Sequence, residues 1–106
     1  MAQFIYLYRG PAPMSDPTPE QAAQRMAAFS AWMEKLGAAL VNVGSPFGMS
    51  MSVRDDGTEG TAGDLIGYSV VEADDLAAAK RFTDGLPFFA DSHGKCAVEI
   101  YELLPI

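Results

Sequence analysis

Acid–base chemistry near neutral pH would depend first on His93, the one histidine in this 106-residue sequence. Imidazole has an ordinary pKa close to neutrality, so His93 is the candidate general acid or base. It directly follows Asp91 and Ser92, but three near-consecutive residues cannot in general align as orienting acid, nucleophile and base. The alternative is a solvent-facing histidine in a turn before Gly94.

Anion binding would depend on Arg9, which lies at the end of a predicted strand. A guanidinium held there could bind a carboxylate substrate through two parallel hydrogen bonds. The chain has seven Lys and Arg against fourteen Asp and Glu. With so many more acids than bases, a surface ion pair is the alternative role for Arg9.

Aromatic side chains, among them Tyr8 and Phe29, could line an apolar ligand pocket between a helix and the sheet. Tyr6, Trp32 and Tyr68 are the candidate ligand-binding residues of this kind, and Tyr68 could also donate a hydrogen bond. Aromatic residues at such spacings also form ordinary cores and dimer interfaces, so both interpretations stay open.

Several classes of function and site are disfavoured by composition. The net charge of −7 argues against nucleic-acid binding, which needs clustered Lys and Arg. One Cys and one His cannot build a structural zinc site, and the acids around Asp55 and Asp56 lack the EF-hand spacing. We therefore predict no metal and no cofactor.

No apolar run is long enough to span a membrane and no signal peptide is evident, so we expect a cytoplasmic protein with Cys96 reduced.

The hydrophobic periodicity predicts a single α+β domain over residues 1–106 with the element order βαββαβ. This order is that of a ferredoxin-like fold with a four-stranded antiparallel sheet. The second strand is predicted from the alternation of Met49, Met51 and Val53 with serines, and residues 41–43 could form an earlier piece of it. The other strands are predicted at residues 3–9, 65–71 and 95–103. The two helices are predicted at residues 18–40, capped by Thr18, and at residues 74–84, capped by Asp74.

Two helices can cover only one face of this sheet. The first and third strands, which are central in the ferredoxin-like order, carry large apolar residues on both faces. An exposed apolar sheet face of that size is unusual for a soluble monomer. We therefore predict a homodimer in which two copies pack sheet to sheet around a two-fold axis.

The sequence resembles the YCII-related domain proteins, the group that includes the DGPF-motif proteins. The resemblance rests on the order of motifs along nearly the whole chain. The first strand is followed by a helix that opens with Thr18-Pro19-Glu20, and the second half contains Gly67-Tyr68-Ser69-Val70-Val71-Glu72-Ala73-Asp74-Asp75-Leu76, then Gly85-Leu86-Pro87-Phe88, then Val98-Glu99-Ile100-Tyr101-Glu102-Leu103.

This resemblance implies a dimeric α+β barrel. It also implies relatedness to a few lyases or dehalogenases of muconate-type acids that use a His–Asp pair near the first strand and helix. The sequence departs from that pattern, because no histidine precedes His93 and the Asp-Gly-Pro-Phe tetrapeptide is missing. Asp16 is the acid nearest to the family position, and its alternative role is in the loop before the helix start.

Taken together, these features predict a small-molecule site for an acidic or aromatic metabolite in a cleft between sheet and helix. His93 and Asp16 are the predicted catalytic residues, and the predicted ligand-binding residues are Arg9, Trp32, Tyr68 and Tyr6. The site would serve a cofactor-independent enzyme of the lyase or isomerase type. The alternative is a binding or interaction module without catalysis, and the sequence leaves both open.

Overall fold

The computed structural model of the chain describes residues 2–10, 18–86 and 96–105. Six strands, two α-helices and one 3₁₀ turn follow one another in these ranges. In chain order they are β1 (Ala2–Arg9), α1 (Pro19–Leu36), the 3₁₀ turn (Gly37–Ala39), β2 (Leu40–Pro46), β3 (Ser52–Val53), β4 (Glu59–Gly60), β5 (Leu65–Ala73), α2 (Leu76–Arg81) and β6 (Ala97–Leu103).

Four strands form one antiparallel sheet in the order β2-β5-β1-β6, and β3 pairs with β4 in a separate two-stranded ribbon. β1 and β5 are therefore central and β2 lies at an edge, as the sequence predicts. This architecture confirms the predicted α+β, ferredoxin-like fold class.

Both helices pack on one face of the sheet. That face carries Phe4, Tyr6 and Tyr8, which are all buried because successive strand residues point to opposite sides. Trp32 of α1 lies over Tyr6 with 6.4 Å between ring centroids, and Ala79 of α2 joins the same core cluster. Bulky rings from the central strands and helices thus form the hydrophobic core.

The opposite face of the sheet, called here the open face, carries a second apolar set. The strand registers pair Ile5 with Val70 and with Tyr101, and Leu7 with Tyr68. Neighbours across an antiparallel ladder share a face, so these side chains form one layer. The apolar residues of the open face are Ile5, Leu7, Tyr68, Val70, Tyr101 and Leu103, and the polar or charged residues Gln3, Arg9, Glu72 and Glu99 lie on the same face.

The second strand of the sheet lies earlier in the chain than the sequence pattern predicts. The Met and Ser alternation over residues 49–53 predicts the strand there, yet Met49 is fully exposed and Met51 and Val53 are mostly so. β2 instead occupies Leu40–Pro46, and the Phe47 N–H extends its pairing by donating to the Ile66 carbonyl at 2.8 Å. Two register irregularities in β2 hide its period of two from sequence inspection.

The helix boundaries also differ from the predicted ones. α1 ends at Leu36 rather than Leu40 because Gly37 adopts the left-handed conformation, with φ of +56°, that terminates helices. α2 is capped by Asp75 rather than Asp74, since the Asp75 carboxylate accepts a 2.8 Å hydrogen bond from the Ala78 N–H. α2 then ends at Arg81, and the predicted stop at Gly85 lies in the turn that follows.

Candidate functional site

The described residues enclose a cleft where the edge strand β2 meets the central strands beneath α1. Its volume is about 330 Å³, at the lower end of the range of small-molecule sites. We call it the Tyr8 cleft. It is lined by Tyr8, Phe29, Val43, Gly44, Ser45, Pro46, Ile66, Gly67, Tyr68 and Ser69.

Two buried hydroxyl groups belong to the cleft wall. The Tyr8 hydroxyl donates to Ser69 Oγ at 2.8 Å, and the Ser69 hydroxyl donates to the Val43 carbonyl at 2.8 Å. Ser69 is 1% exposed and Tyr8 6% exposed, so this chain of hydrogen bonds is held away from water. Burial raises the pKa of Tyr8 and outweighs the opposing effect of its hydrogen bond to Ser69.

The β2 wall of the cleft depends on a glycine. Gly44 has φ of +79°, and a Cβ added there would lie only 1.7 Å from the Tyr68 carbonyl oxygen. Such a separation is impossible, so no other residue fits this backbone. Gly44 therefore allows β2 to bulge against β5, and the bulge places Val43, Ser45 and Pro46 along the cleft.

Among the predicted ligand-binding residues, Tyr68 is the one that lines this cleft, at the edge of the sheet where the cleft reaches the open-face parity of β5. Its ring stacks on Phe47 with 5.8 Å between centroids and 19° between ring planes. The Phe47–Tyr68 stack fixes the chain just beyond the bulge. Tyr68 thus connects the end of β2 to the centre of the sheet, and its ligand role remains a prediction.

Tyr6 and Trp32 lie together in the core beside the cleft rather than among its lining residues. The Trp32 indole N–H donates to the Phe82 carbonyl at 2.8 Å, and the Tyr6 hydroxyl donates to the Ala79 carbonyl. Burial, reinforced by nearby Tyr8, raises the pKa of Tyr6. Both side chains hold the α2 region against the sheet, and the structure does not test their predicted contact with a ligand.

Arg9 lies on the open face, away from the Tyr8 cleft. Its Nε donates to Glu99 Oε2 at 2.6 Å and its Nη1 pairs with Asp64, while the Tyr101 hydroxyl donates to Glu99 at 3.0 Å. The hydrogen bond from Arg9 lowers the pKa of Glu99, with a further contribution from Tyr101. The ion pair anticipated as the alternative role of Arg9 is thus present, and the predicted carboxylate ligand remains untested.

The two predicted catalytic residues, His93 and Asp16, lie outside the described residues, so their roles remain predictions. Within residues 2–10, 18–86 and 96–105, no group of three His, Cys, Asp or Glu side chains is arranged to hold a metal ion.

Sequence reasoning named Tyr8 and Phe29 only as general pocket or core residues, and it missed Ser69, Gly67 and the β2 bulge. A signal was present for two of them. Gly67 and Ser69 occupy alternate positions of β5 on the parity that faces the helices, where Val71 and Ala73 are apolar. A small or polar residue at such a position indicates either close approach of another group or a polar site. The bulge had a weaker signal, because Gly44-Ser45-Pro46 interrupts the strand-like piece at residues 41–43.

Comparison with known proteins places the chain in a family. The profile of the YCII-related domain matches residues 1–105. The chain belongs to the YCII-related domain family. The predicted family is therefore confirmed, whereas no curated protein matches this YCII-related sequence.

A solved structure shares the fold of this YCII-related chain. It is 5-chloro-2-hydroxyhydroquinone dehydrochlorinase from Burkholderia phenoliruptrix AC1100, in complex with 2,5-dihydroxybenzoquinone. The TM-score is 0.53 at 23% sequence identity, and the match covers 93% of this chain and 90% of that chain.

No helix in the described part of the chain is long and apolar enough to cross a membrane.

Proposed function

We propose that this protein binds a small, uncharged ring compound in the Tyr8 cleft. The observation that carries the proposal is the composition of the cleft: among the described residues that line it, none has a charged side chain. Phe29, Val43 and Ile66 supply apolar surface, while Tyr8 and Ser69 add hydroxyl groups. A mainly apolar concave site with a few polar groups is typical of small-molecule binding.

An uncharged ligand suits these surroundings better than an acidic one. Moving a carboxylate from water into an apolar cleft is costly unless a cation pairs with it. Arg9, the cation proposed from sequence for that role, lies on the opposite face of the sheet beside Asp64 and Glu99. Of the acidic and aromatic metabolites predicted from sequence, the aromatic class is therefore the one we propose.

The shared fold offers further support for a ring ligand. The dehydrochlorinase structure of the same fold holds 2,5-dihydroxybenzoquinone, a flat and oxygen-substituted ring. This fold can thus accommodate a ligand of the proposed size and shape. The proposal for the present chain nevertheless rests on its own cleft and not on that protein's reaction.

Titration with phenol and benzoate, followed by NMR, tests this function. Both probes carry one aromatic ring, but only benzoate is charged at neutral pH. We expect phenol to shift the resonances of Tyr8, Ser69 and Phe29, and benzoate to bind more weakly. Equal binding of the two probes, or shifts confined to residues outside the cleft, would contradict the proposal.

A pair of α1 variants provides the matched control. Phe29→Ala removes part of the cleft wall, whereas Met26→Ala changes a side chain on the same helix that is 72% exposed and does not line the cleft. We expect Phe29→Ala to weaken phenol binding several-fold and Met26→Ala to leave it unchanged. The same affinity in both variants would place the phenol elsewhere.

We propose catalysis in addition to binding, with His93 and Asp16 as the acid–base residues. An enzyme of the lyase or isomerase type must move a proton, and a histidine and a carboxylate are suited to that task. His93→Gln and Asp16→Asn should abolish any turnover of a ring substrate without abolishing its binding. Turnover that survives both substitutions would rule these residues out as the acid–base pair, whereas a wild-type protein that binds a ring compound without turning it over would be better described as a binding module.

We further propose a homodimer assembled through the open face. Both helices pack against the other side of the sheet, on Phe4, Tyr6 and Tyr8. On the open face Tyr101 is 53% and Leu103 38% exposed in the single chain. Covering this apolar layer with a second copy would remove it from water, which is the dominant favourable contribution to association.

We place the protein in the cytoplasm as part of this proposal. Cys96 is the one cysteine of the chain and its thiol is free. A free thiol persists most readily in a reducing compartment. Cell fractionation with an antibody against the chain would test this location.

A further inference from the structure

We infer that the Tyr8 cleft recognises ring compounds that donate a hydrogen bond, because the hydrogens of its two buried hydroxyl groups are already directed to acceptors within the protein. The inference rests on the proposed binding function and makes its ligand class more specific. It assigns the cleft to phenols and uncharged aromatic amines, in preference to ring ethers and nitriles, whose polar atom can only accept.

The direction of the hydrogen bonds between Tyr8, Ser69 and Val43 is fixed at the Val43 end. A carbonyl can only accept, so the Ser69 hydroxyl, 2.8 Å from the Val43 oxygen, must donate its single hydrogen there. Ser69 Oγ then has no hydrogen for Tyr8 and accepts from the Tyr8 hydroxyl, also at 2.8 Å. Both hydroxyl hydrogens are therefore used inside the protein.

A backbone donor in the β2 wall is used in the same way. The bulge takes Gly44 out of the residue pairing between β2 and β5. Its N–H nevertheless has an acceptor, because it donates to Asn42 Oδ1 at 2.9 Å. This part of the wall thus has its N–H directed to the chain itself.

The polar groups that Tyr8 and Ser69 present to a ligand are consequently oxygen lone pairs. A hydroxyl oxygen has two lone pairs, so it can accept from a ligand even when it already has one partner. Both residues line the cleft, beside the apolar side chains of Phe29, Val43 and Ile66. A ligand O–H or N–H would complete a hydrogen bond there, whereas an ether or nitrile would lose its bonds to water without gaining a donor.

Phenol and anisole test this inference, because the methyl group of anisole replaces the phenolic hydrogen and so removes the donor. Anisole has the larger apolar surface, so hydrophobic burial alone would favour it. We expect the wild-type protein to bind phenol about tenfold more tightly, as for one neutral hydrogen bond made or lost. Equal affinities, or tighter binding of anisole, would overturn the inference and leave the proposed function intact.

Aniline and benzonitrile separate hydrogen-bond donation from the bulk of the methyl group, and they require no variant that could fail to fold. Aniline is uncharged at neutral pH and has an N–H donor, whereas the nitrile nitrogen can only accept. We expect aniline to bind like phenol, and benzonitrile to bind like anisole. Benzonitrile binding as tightly as aniline would contradict the inference.

Ser69→Ala should remove the preference. It deletes the acceptor of the Tyr8 hydroxyl, whose hydrogen can then turn to an acceptor on the ligand. The ratio of phenol to anisole affinities should fall from about tenfold to about one-to-one. A general loosening of the cleft would weaken both probes and leave this ratio unchanged, and that result would overturn the inference.

Ser45→Ala and Tyr68→Phe are the matched controls, because each removes the hydroxyl of another residue that lines the cleft. Both variants should keep the preference for phenol. Loss of the preference in either one would place the ligand's hydrogen bond there rather than at Tyr8 and Ser69. Failure of all four probes to bind the wild-type protein would instead overturn the proposed function, and the inference with it.

Discussion

At the scale of single residues, the hydrogen-bond chain from Tyr8 through Ser69 to Val43 is the feature with the largest expected effect. Ser69→Ala removes both the acceptor of the Tyr8 hydroxyl and the donor to the Val43 carbonyl. Loss of a buried partner costs about 1–3 kcal/mol, so we expect the free energy of unfolding in urea to fall by that amount. Phenol binding should weaken as well.

Ser45→Ala is the matched control for that experiment. Ser45 also lines the cleft, but it is exposed and its hydroxyl donates to the adjacent Pro46 carbonyl. Its removal should change stability by less than about 0.5 kcal/mol. Equal losses for the two serine variants would show that burial of the Ser69 hydroxyl contributes nothing.

Burial of Tyr6 and Tyr8 predicts a loss of stability at alkaline pH. Desolvation raises the pKa of both phenols in the folded protein above the ordinary value of 10.0. The folded state therefore holds these protons more tightly than the unfolded chain. The resulting stability is fully present below pH 10 and declines as the pH rises above it.

Urea unfolding between pH 8 and 11 measures this effect. We expect a steeper decline for the wild type than for Tyr6→Phe, which cannot ionise at that position. Tyrosinate absorbance should show Tyr6 and Tyr8 titrating together with unfolding. Parallel declines in the two proteins would contradict the assignment.

At the scale of elements, the β2 bulge is the feature that shapes the cleft. We expect Gly44→Ala to destabilise the protein by more than the 1–3 kcal/mol or so of ordinary backbone strain, because its Cβ would also overlap the Tyr68 carbonyl. Gly37→Ala is the control, with φ of +56° and nothing within 4 Å of its Cβ, and should cost only about 1 kcal/mol. Similar losses for both would argue against the overlap.

The start of α2 gives a second prediction at this scale. Asp75→Ala removes the carboxylate that accepts from the Ala78 N–H and should reduce the free energy of unfolding by about 1 kcal/mol. Asp74→Ala is the neighbouring control and should have little effect on stability. The reverse order would support the cap at Asp74 that the sequence pattern suggests.

Asp74 and Asp75, which precede α2, also illustrate how far the sequence predicts the structure. Element order, the central position of β1 and β5, and the apolar parity of both strands follow from hydrophobic periodicity, which is set by side-chain chemistry. The bulge at Gly44 and the choice between Asp74 and Asp75 depend instead on backbone geometry, which has no periodic signature. The exposed Met49 and Met51 show that a period of two does not by itself imply burial.

The difference between side-chain chemistry and backbone geometry also explains which residues of the cleft could be predicted from the sequence. Tyr8 and Phe29 were identifiable as pocket candidates because large aromatic residues are recognisable in sequence. Their meeting with Ser45 and Gly67 requires the irregular pairing of β2 with β5, which only the three-dimensional structure provides. Arg9 was correctly anticipated to have an ion-pair alternative, since acids outnumber bases in this chain.

At the scale of the whole molecule, the sheet has two apolar faces, and within the described part of the chain both helices pack on the same one. Ile5 lies on the open face between Val70 and Tyr101, near the middle of the sheet. The charged network of Arg9, Asp64 and Glu99 lies at the end of β1 instead. Gln3 and Glu72 lie on the same face towards the other end of β1. An apolar centre with polar or charged residues on either side is typical of a protein interface with a polar rim.

Ile5→Glu therefore tests the proposed dimer. The wild type should scatter light as a particle of about twice the 11.3 kDa chain mass, with a melting temperature that rises with protein concentration. A buried carboxylate at Ile5 should give a monomer, because two such charges would face each other's apolar layer without a partner. Met26→Glu adds the same charge at an exposed site on α1 and should remain dimeric. A monomeric wild type, or an Ile5→Glu dimer as stable as the wild type, would show that the open face is not the interface.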